Sequence, residues 1–255
     1  MAGYAFDNAW HQARERLSKL ETCLDPATIR RMSALGVAEG WNCLDVGAGG
    51  GSITAWLCEQ VGPTGRVVAT DVDTRFLDAL SSANLEVLRH DVTEDELPAN
   101  TFDLVHTRWV LMHLPARQRA LERLVSTIKP GGWLLVEEAD TFPVSALEPG
   151  AYGQIWSAFM RAIAPHGTHG DWARELPSIL PTSGLSDVGV DADFQIFMGA
   201  SPLAEFWRLT WEQLRSGIVQ SGAQEAQIDE TLRSLSDPTQ HFIGPATFAV
   251  WGRRN

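Results

Sequence analysis

Cysteine is scarce in this sequence: three residues, Cys23, Cys43 and Cys58, with no Cys-x-x-Cys pair. An odd, unclustered set gives no disulfide framework, so each thiol is expected to be free and to act as a small buried hydrophobe in a reducing compartment. Cations are outnumbered, 20 Lys and Arg against 32 Asp and Glu, for a formal net charge of -12. That balance repels phosphate backbones over most of the surface and argues against nucleic acid as a partner. The pairs Arg30-Arg31 and Arg253-Arg254 read as solvated ends of elements. No apolar run approaches a membrane span. Charges from Asp7 onward interrupt any signal-peptide core. The expectation is a cytoplasmic protein off the membrane, as a monomer or homodimer.

What the chain does have is an ordinary globular composition, 44% hydrophobic and 20% charged over 255 residues, enough for a sizeable core. Ten tryptophans are many for this length. Trp10, Trp109, Trp156, Trp172, Trp207 and Trp211 fall outside the segments that read as strands. Each is read first as core, although aromatics in a lid can also line a flat apolar pocket.

The stretch that organises the rest is Asn42-Cys43-Leu44-Asp45-Val46-Gly47-Ala48-Gly49-Gly50-Gly51-Ser52-Ile53-Thr54. An apolar strand runs into four glycines within five residues. It leaves on Ile53, Trp56, Leu57 and Val61, which are spaced as on a helix. Glycines allow the tight reversal and let a ligand approach the backbone more closely than a Cβ permits. The dinucleotide fingerprint needs a third glycine where Ser52 stands, and the triphosphate loop needs a lysine that this loop lacks. Asp45-x-Gly47-x-Gly49-x-Gly51 resembles motif I of the class I, Rossmann-like S-adenosylmethionine (SAM) dependent methyltransferases. SAM carries no phosphate, and its cationic sulfonium suits an acid beside the loop.

Later stretches extend the resemblance. Arg66–Asp71 reads as the second strand and ends on Asp71, where Rossmann-like sites hold ribose hydroxyls. Asp73 competes as the cap of a helix from Thr74. After a third strand, Leu85–Arg89, Asp91 and Val92 stand where the family receives adenine. Phe102-Asp103-Leu104-Val105-His106 is a fourth strand of the family's type, followed by Thr107, Arg108 and Trp109. Val110–Pro115 begins a helix that resumes through Leu121 and Ile128, and Ile128-Lys129-Pro130-Gly131-Gly132-Trp133-Leu134 resembles another family hallmark.

Four ordered motifs cover about half the chain. The resemblance implies a seven-stranded α/β sheet in order 3-2-1-4-5-7-6 with strand 7 antiparallel. Residues 1–40 form an N-terminal helical arm: Phe6, Trp10, Ala13, Leu17 and Leu20 make one apolar stripe. A second helix starts at Asp25-Pro26 and stops at Gly36. Residues 41–140 are the SAM-binding core. Residues 141–255 complete the sheet and include a helical lid, about 202–235, before a last strand taken to start after Pro245.

For SAM, the resemblance marks Asp45, Gly47, Ala48, Gly49, Gly51, Asp71, Val72, Asp91, Val92, Thr107 and Arg108, with Tyr4 and Arg16 from the arm. Arg16 either meets the methionine carboxylate or snorkels from a helix flank. The implied activity is methyl transfer to a small aromatic or apolar molecule, with Trp109, His166 and His169 facing the acceptor. Such a transfer needs positioning and desolvation, and at times a base. His113, His106, His166 and His169 are the candidates. His113 leads them and equally reads as a structural histidine. No ligand set for a metal is complete. Two alternatives stand: a SAM-binding biosynthetic protein that transfers no methyl, and an NAD-dependent oxidoreductase. The second is disfavoured by the glycine pattern, Asp91 and the absence of a Tyr-x-x-x-Lys dyad, since the only tyrosines are Tyr4 and Tyr152.

Overall fold

A computed structural model describes residues 5–148 and 150–255. Where the sequence predicts two helices, the chain makes one, α1 (Ala13–Leu35), with Pro26 inside it and Gly36 closing it at φ 89°. An interior proline loses a hydrogen bond and crowds the preceding turn. The helix continues because Thr28 and Arg31, on the turn beyond, are anchored to the sheet (below). Residues 5–12 are bends and turns, not the start of the apolar stripe's helix. Phe6 is buried all the same.

The βαβ start follows: β1 (Asn42–Val46), α2 (Ser52–Val61), β2 (Arg66–Asp71). The helix expected from Thr74 is absent, and turns lead to β3 (Leu85–Arg89). After β4 (Phe102–Arg108), the expected helix at Val110 is only a 3-10 turn, Leu111–His113. Pro115 explains this. It holds Leu114 extended, at φ -96° and ψ 126°, and breaks the ladder, so the helix proper begins at α3 (Arg117–Thr127). In β5 (Ile128–Asp140) a register shift between Phe102 and Leu104 of the neighbouring strand absorbs the Lys129–Gly132 turn.

The remainder is α4 (Phe142–Leu147), α5 (Ala151–Ile163), α6 (Leu176–Thr182), β6 (Leu185–Met198), α7 (Pro202–Gln213), α8 (Arg215–Gln220), α9 (Glu225–Leu235) and β7 (His241–Arg254). β7 starts before Pro245, not after it. Proline fits there because β5 pairs only as far as Ala246 and the β6 register shifts at the same level, so no ladder donor is needed.

The sheet order is β3-β2-β1-β4-β5-β7-β6, with β7 antiparallel to both neighbours, as the resemblance implied. The parallel centre is buried on both faces: Cys43, Leu44, Val67, Val68, Leu104 and Val105 are nearly inaccessible. One face packs α3 and α6 and the other packs α1 and α2. A third apolar cluster joins α5 to the α7–α9 insertion around Trp156, Trp207 and Trp211. These tryptophans are core, as is Trp172 beneath the sheet. Among the described residues no helix is long and apolar enough to cross a membrane.

Candidate functional site

The glycine loop is built from backbone constraints. Gly47, Gly49 and Gly51 all have positive φ, at 68°, 57° and 86°. A Cβ on Gly47 would strike the Val110 side chain, and one on Gly51 would meet Leu80 Cδ1 at 2.6 Å. The loop hangs from β2, whose Thr70 carbonyl accepts from Gly47 N (2.7 Å) and Ala48 N (3.0 Å). Asp71 accepts from Gly49 N and Asp73 N, both at 3.0 Å. Burial raises the Asp71 pKa against the lowering effect of those two bonds. One carboxylate thus braces the loop and retains lone pairs for a ligand.

Over the C-terminal ends of the strands, where ligands of such sheets bind, lies a cavity of about 1020 Å³. Asp45, Gly47, Ala48, Gly49, Asp71, Val72, Asp91 and Val92 line it, as do Arg16, Arg108, Trp109, His113 and His166. Of the other predicted residues, Gly51 stands just behind the wall as the left-handed cap of α2. Thr107 is fully buried within the sheet. His169 is exposed, on the far side of its loop beside Asp171. Tyr4 lies outside the described residues.

Arg16 is buried, its guanidinium 4.8 Å from the Phe6 ring centre and 5.6 Å from that of Phe206. It therefore packs among aromatics and does not snorkel from a helix flank. Arg108 is held by Asp25 (2.8 Å) and Thr28 (2.9 Å) of α1. Trp109 adopts φ 55°, unusual for a bulky residue and a feature that clusters at functional sites. Its ring lies near Phe206 and Trp207, at 6.2 and 6.4 Å. Phe6, Trp156 and Phe159 complete this aromatic part of the wall.

The turn that carries His113 is pinned by Glu138, which is completely buried. Its carboxylate accepts from three consecutive N–H groups, Val110 (3.3 Å), Leu111 (2.8 Å) and Met112 (3.2 Å). Burial still prevails over those bonds and pushes its pKa up to about 8. His113 Nδ1 lies 3.0 Å from Thr168 Oγ1. Burial, with the charges of Arg16 and Arg117, lowers its pKa to about 4, so the ring is neutral at physiological pH.

The sequence offers His106 as a candidate base. Both of its ring nitrogens instead face carboxylates, Nδ1 to Asp45 (2.8 Å) and Nε2 to Glu137 (3.2 Å). Glu137 also accepts from Thr28 and Arg31, at 2.6 Å each, and Arg31 reaches Asp191 and Asp193. Arg31 is thus buried, not a solvated helix end. The sequence alone could not assemble this group, because its members come together only through strand register. Asp45 pairs with His106, and Arg108 with Glu137, across neighbouring strands.

Acids along one wall and no cation within the glycine loop would repel a pyrophosphate. They suit ribose hydroxyls, an adenine amino group and a sulfonium. Comparison with known proteins agrees. A family profile described as "Methyltransferase domain" matches residues 44–136. The ubiquinone/menaquinone biosynthesis C-methyltransferase UbiE of Pseudomonas fluorescens strain SBW25 is 30% identical over 192 residues, 72% of each chain. The chain belongs to the class I SAM-dependent methyltransferases. SAM is the cofactor of that family, and the cradle fits it. With UbiE of P. fluorescens strain Pf0-1 the identity is 35% over 133 residues, and the chain spans only about half of that relative, 52%. A SAM-dependent methyltransferase from Aquifex aeolicus has the same fold, with a TM-score of 0.54 at 20% identity over 95% of this chain and 98% of that one.

Proposed function

We propose that the protein transfers the methyl group of SAM to a small, flat, oxygen-bearing aromatic molecule such as a quinol or phenol, in the cytoplasm. One observation carries the acceptor class. Phe6, Trp109, Phe159, Phe206 and Trp207 line one end of the cavity with ring surface. A flat aromatic acceptor would stack on these rings. The similarity to the UbiE proteins, named as C-methyltransferases of ubiquinone and menaquinone biosynthesis, favours the same class.

In this reading Asp71 accepts from the ribose, Asp91 and Val92 meet adenine, and the loop Gly47–Gly51 with Asp45 receives the methionine end. When bound, SAM supplies an electrophilic methyl on a cationic leaving group. The protein's part is to orient the acceptor and exclude water. Phe6, Trp109, Phe206 and Trp207 do both, and Arg16 favours an anionic oxygen on the acceptor. Residues 5–40 and the 202–235 lid close the two sides of the 41–140 core.

Calorimetry with SAM and S-adenosylhomocysteine, followed by product analysis with simple quinols, tests the reading. Both cofactor forms should bind and NAD should not. Asp71→Ala should weaken binding at least about tenfold by removing one or two charge-assisted bonds of about 1.5–3 kcal/mol each. Methylated product and S-adenosylhomocysteine should accumulate together. Tight cofactor binding with no methylated product from any aromatic acceptor would favour a SAM-binding protein that transfers no methyl.

A further inference from the structure

Beneath the cofactor loop lies a buried polar chain that neither the motifs nor methyl transfer itself requires. Asp45, the first residue of motif I, gives one carboxylate oxygen to Thr54 of α2 (2.6 Å) and the other to His106 Nδ1 (2.8 Å). The opposite ring nitrogen of His106 faces Glu137. All three side chains are more than nine-tenths buried. A carboxylate only accepts, and a neutral imidazole has one N–H to donate. Two carboxylates on two ring nitrogens therefore require both nitrogens to carry protons. We infer that His106 is a positioning residue, an imidazolium clamped between Asp45 and Glu137 that fixes the motif I acid and ties the floor of the cofactor loop to helix α1. The inference rests on the reading that this loop holds SAM.

The charges around His106 support that state. Asp45 faces it from β1 and Glu137 from β5. Behind Glu137 stand Arg31 and Asp25 of α1, Arg108 of β4 and, through Arg31, Asp191 and Asp193 of β6. On the far side of Asp45 are the Thr54 hydroxyl of α2 and Asp71 of β2. Burial alone would lower the His106 pKa. The hydrogen bonds and charges of Asp45 and Glu137 prevail and raise it above 6.5. Burial likewise opposes the ionised form of Glu137, and His106, Arg108 and Thr28 hold its pKa down to about 2.

The sign of the pH dependence follows. A histidine whose folded pKa is raised contributes fully below its unfolded value. That contribution is lost as pH rises through the folded value. Loss of the proton leaves a ring lone pair against a carboxylate, either at Asp45 or at Glu137. The loop floor should therefore loosen on the alkaline side, while the acid side, down towards Glu137, is unaffected.

The test combines nitrogen-15 NMR of the histidine rings with S-adenosylhomocysteine calorimetry across pH 6 to 10. His106 should carry both ring protons at pH 7 and lose one in a single alkaline step. Wild-type affinity should fall about tenfold across that same step. His106→Asn should bind at least about tenfold more weakly at pH 7, with a flat profile. Glu137→Gln, which keeps the shape and removes a charge, should move the wild-type step to lower pH. If His106→Asn fails to fold, the wild-type profile and Glu137→Gln still decide. A singly protonated His106 at pH 7, or a folded His106→Asn with wild-type affinity, overturns the positioning role and leaves the cofactor reading intact. Absence of S-adenosylhomocysteine binding by the wild type at every pH overturns both.

Discussion

His113 shows how far one residue can be judged from its surroundings. Its ring meets Phe6 edge-on at 5.8 Å and Thr168 at 3.0 Å, so it links the turn after β4 to the 164–170 loop. Its lowered pKa, about 4, makes it a weak proton acceptor at neutral pH, whereas an efficient base is matched to the working pH. We expect His113→Asn to lower thermal stability and to reduce turnover less than tenfold per folded molecule. Because its folded pKa lies below the unfolded value of 6.5, wild-type stability should fall as pH drops from 6.5 towards 4. The variant should lack that slope. Turnover lost by about 10²–10⁴ with unchanged melting would instead make His113 the base. At this scale the motifs brought the right residues together, as at Asp71 and the loop glycines Gly47 and Gly49, which meet at one cavity. It was silent where a role depends on burial or register. Thr107 looks like a neighbour of the cofactor in the chain and points into the sheet. His106 looks like a base and is held by two acids. Glu137 and Glu138, adjacent in sequence, face opposite sides of β5 into different networks.

Among the elements, strands and their order were easier to read than helix boundaries. Apolar runs bounded by turn residues survive folding almost unchanged, while helix starts are settled by tertiary partners. Pro26 looks like a start signal, yet Thr28 and Arg31 fasten the same segment to Glu137 and one helix results. The 202–235 segment was legible as an insertion between the last two strands, but not its packing. Seven of the twelve residues of α7 are buried, and Phe206, Trp207 and Thr210 line the cavity. Only Ile218 is buried in α8. Hydrogen exchange should therefore find α7 well protected even in the free protein and α8 poorly so. If the insertion closes as a unit, α7 and residues 5–12 should gain protection together when cofactor and acceptor bind. A gain confined to residues 5–12 would make that segment the gate and α7 a fixed wall.

For the whole molecule, one cavity must hold everything the reaction needs. Pockets for single small molecules occupy about 300–1,000 Å³, and this one, at about 1020 Å³, stands at the top of that range. Its wall changes character from acids and glycines at the ends of β1, β2 and β3 to a ring of aromatics under α5 and α7. That division was half visible beforehand: the motifs marked the part lined by acids and glycines, while the aromatic part is made from residues as distant as Phe6, Trp156 and Trp207, which no local pattern brings together. On the proposed function, one continuous space with two chemistries would hold both ligands at once. None of the three cysteines lines it, and on the proposed function the methyl group is expected to pass directly from sulfonium to acceptor. Initial-rate measurements with both ligands varied should then give intersecting double-reciprocal lines, the pattern of a ternary complex. S-adenosylhomocysteine should compete with SAM and not with the acceptor. Parallel lines would require the methyl group to rest on the protein between two half-reactions, and the single shared cavity would then need a nucleophile other than cysteine.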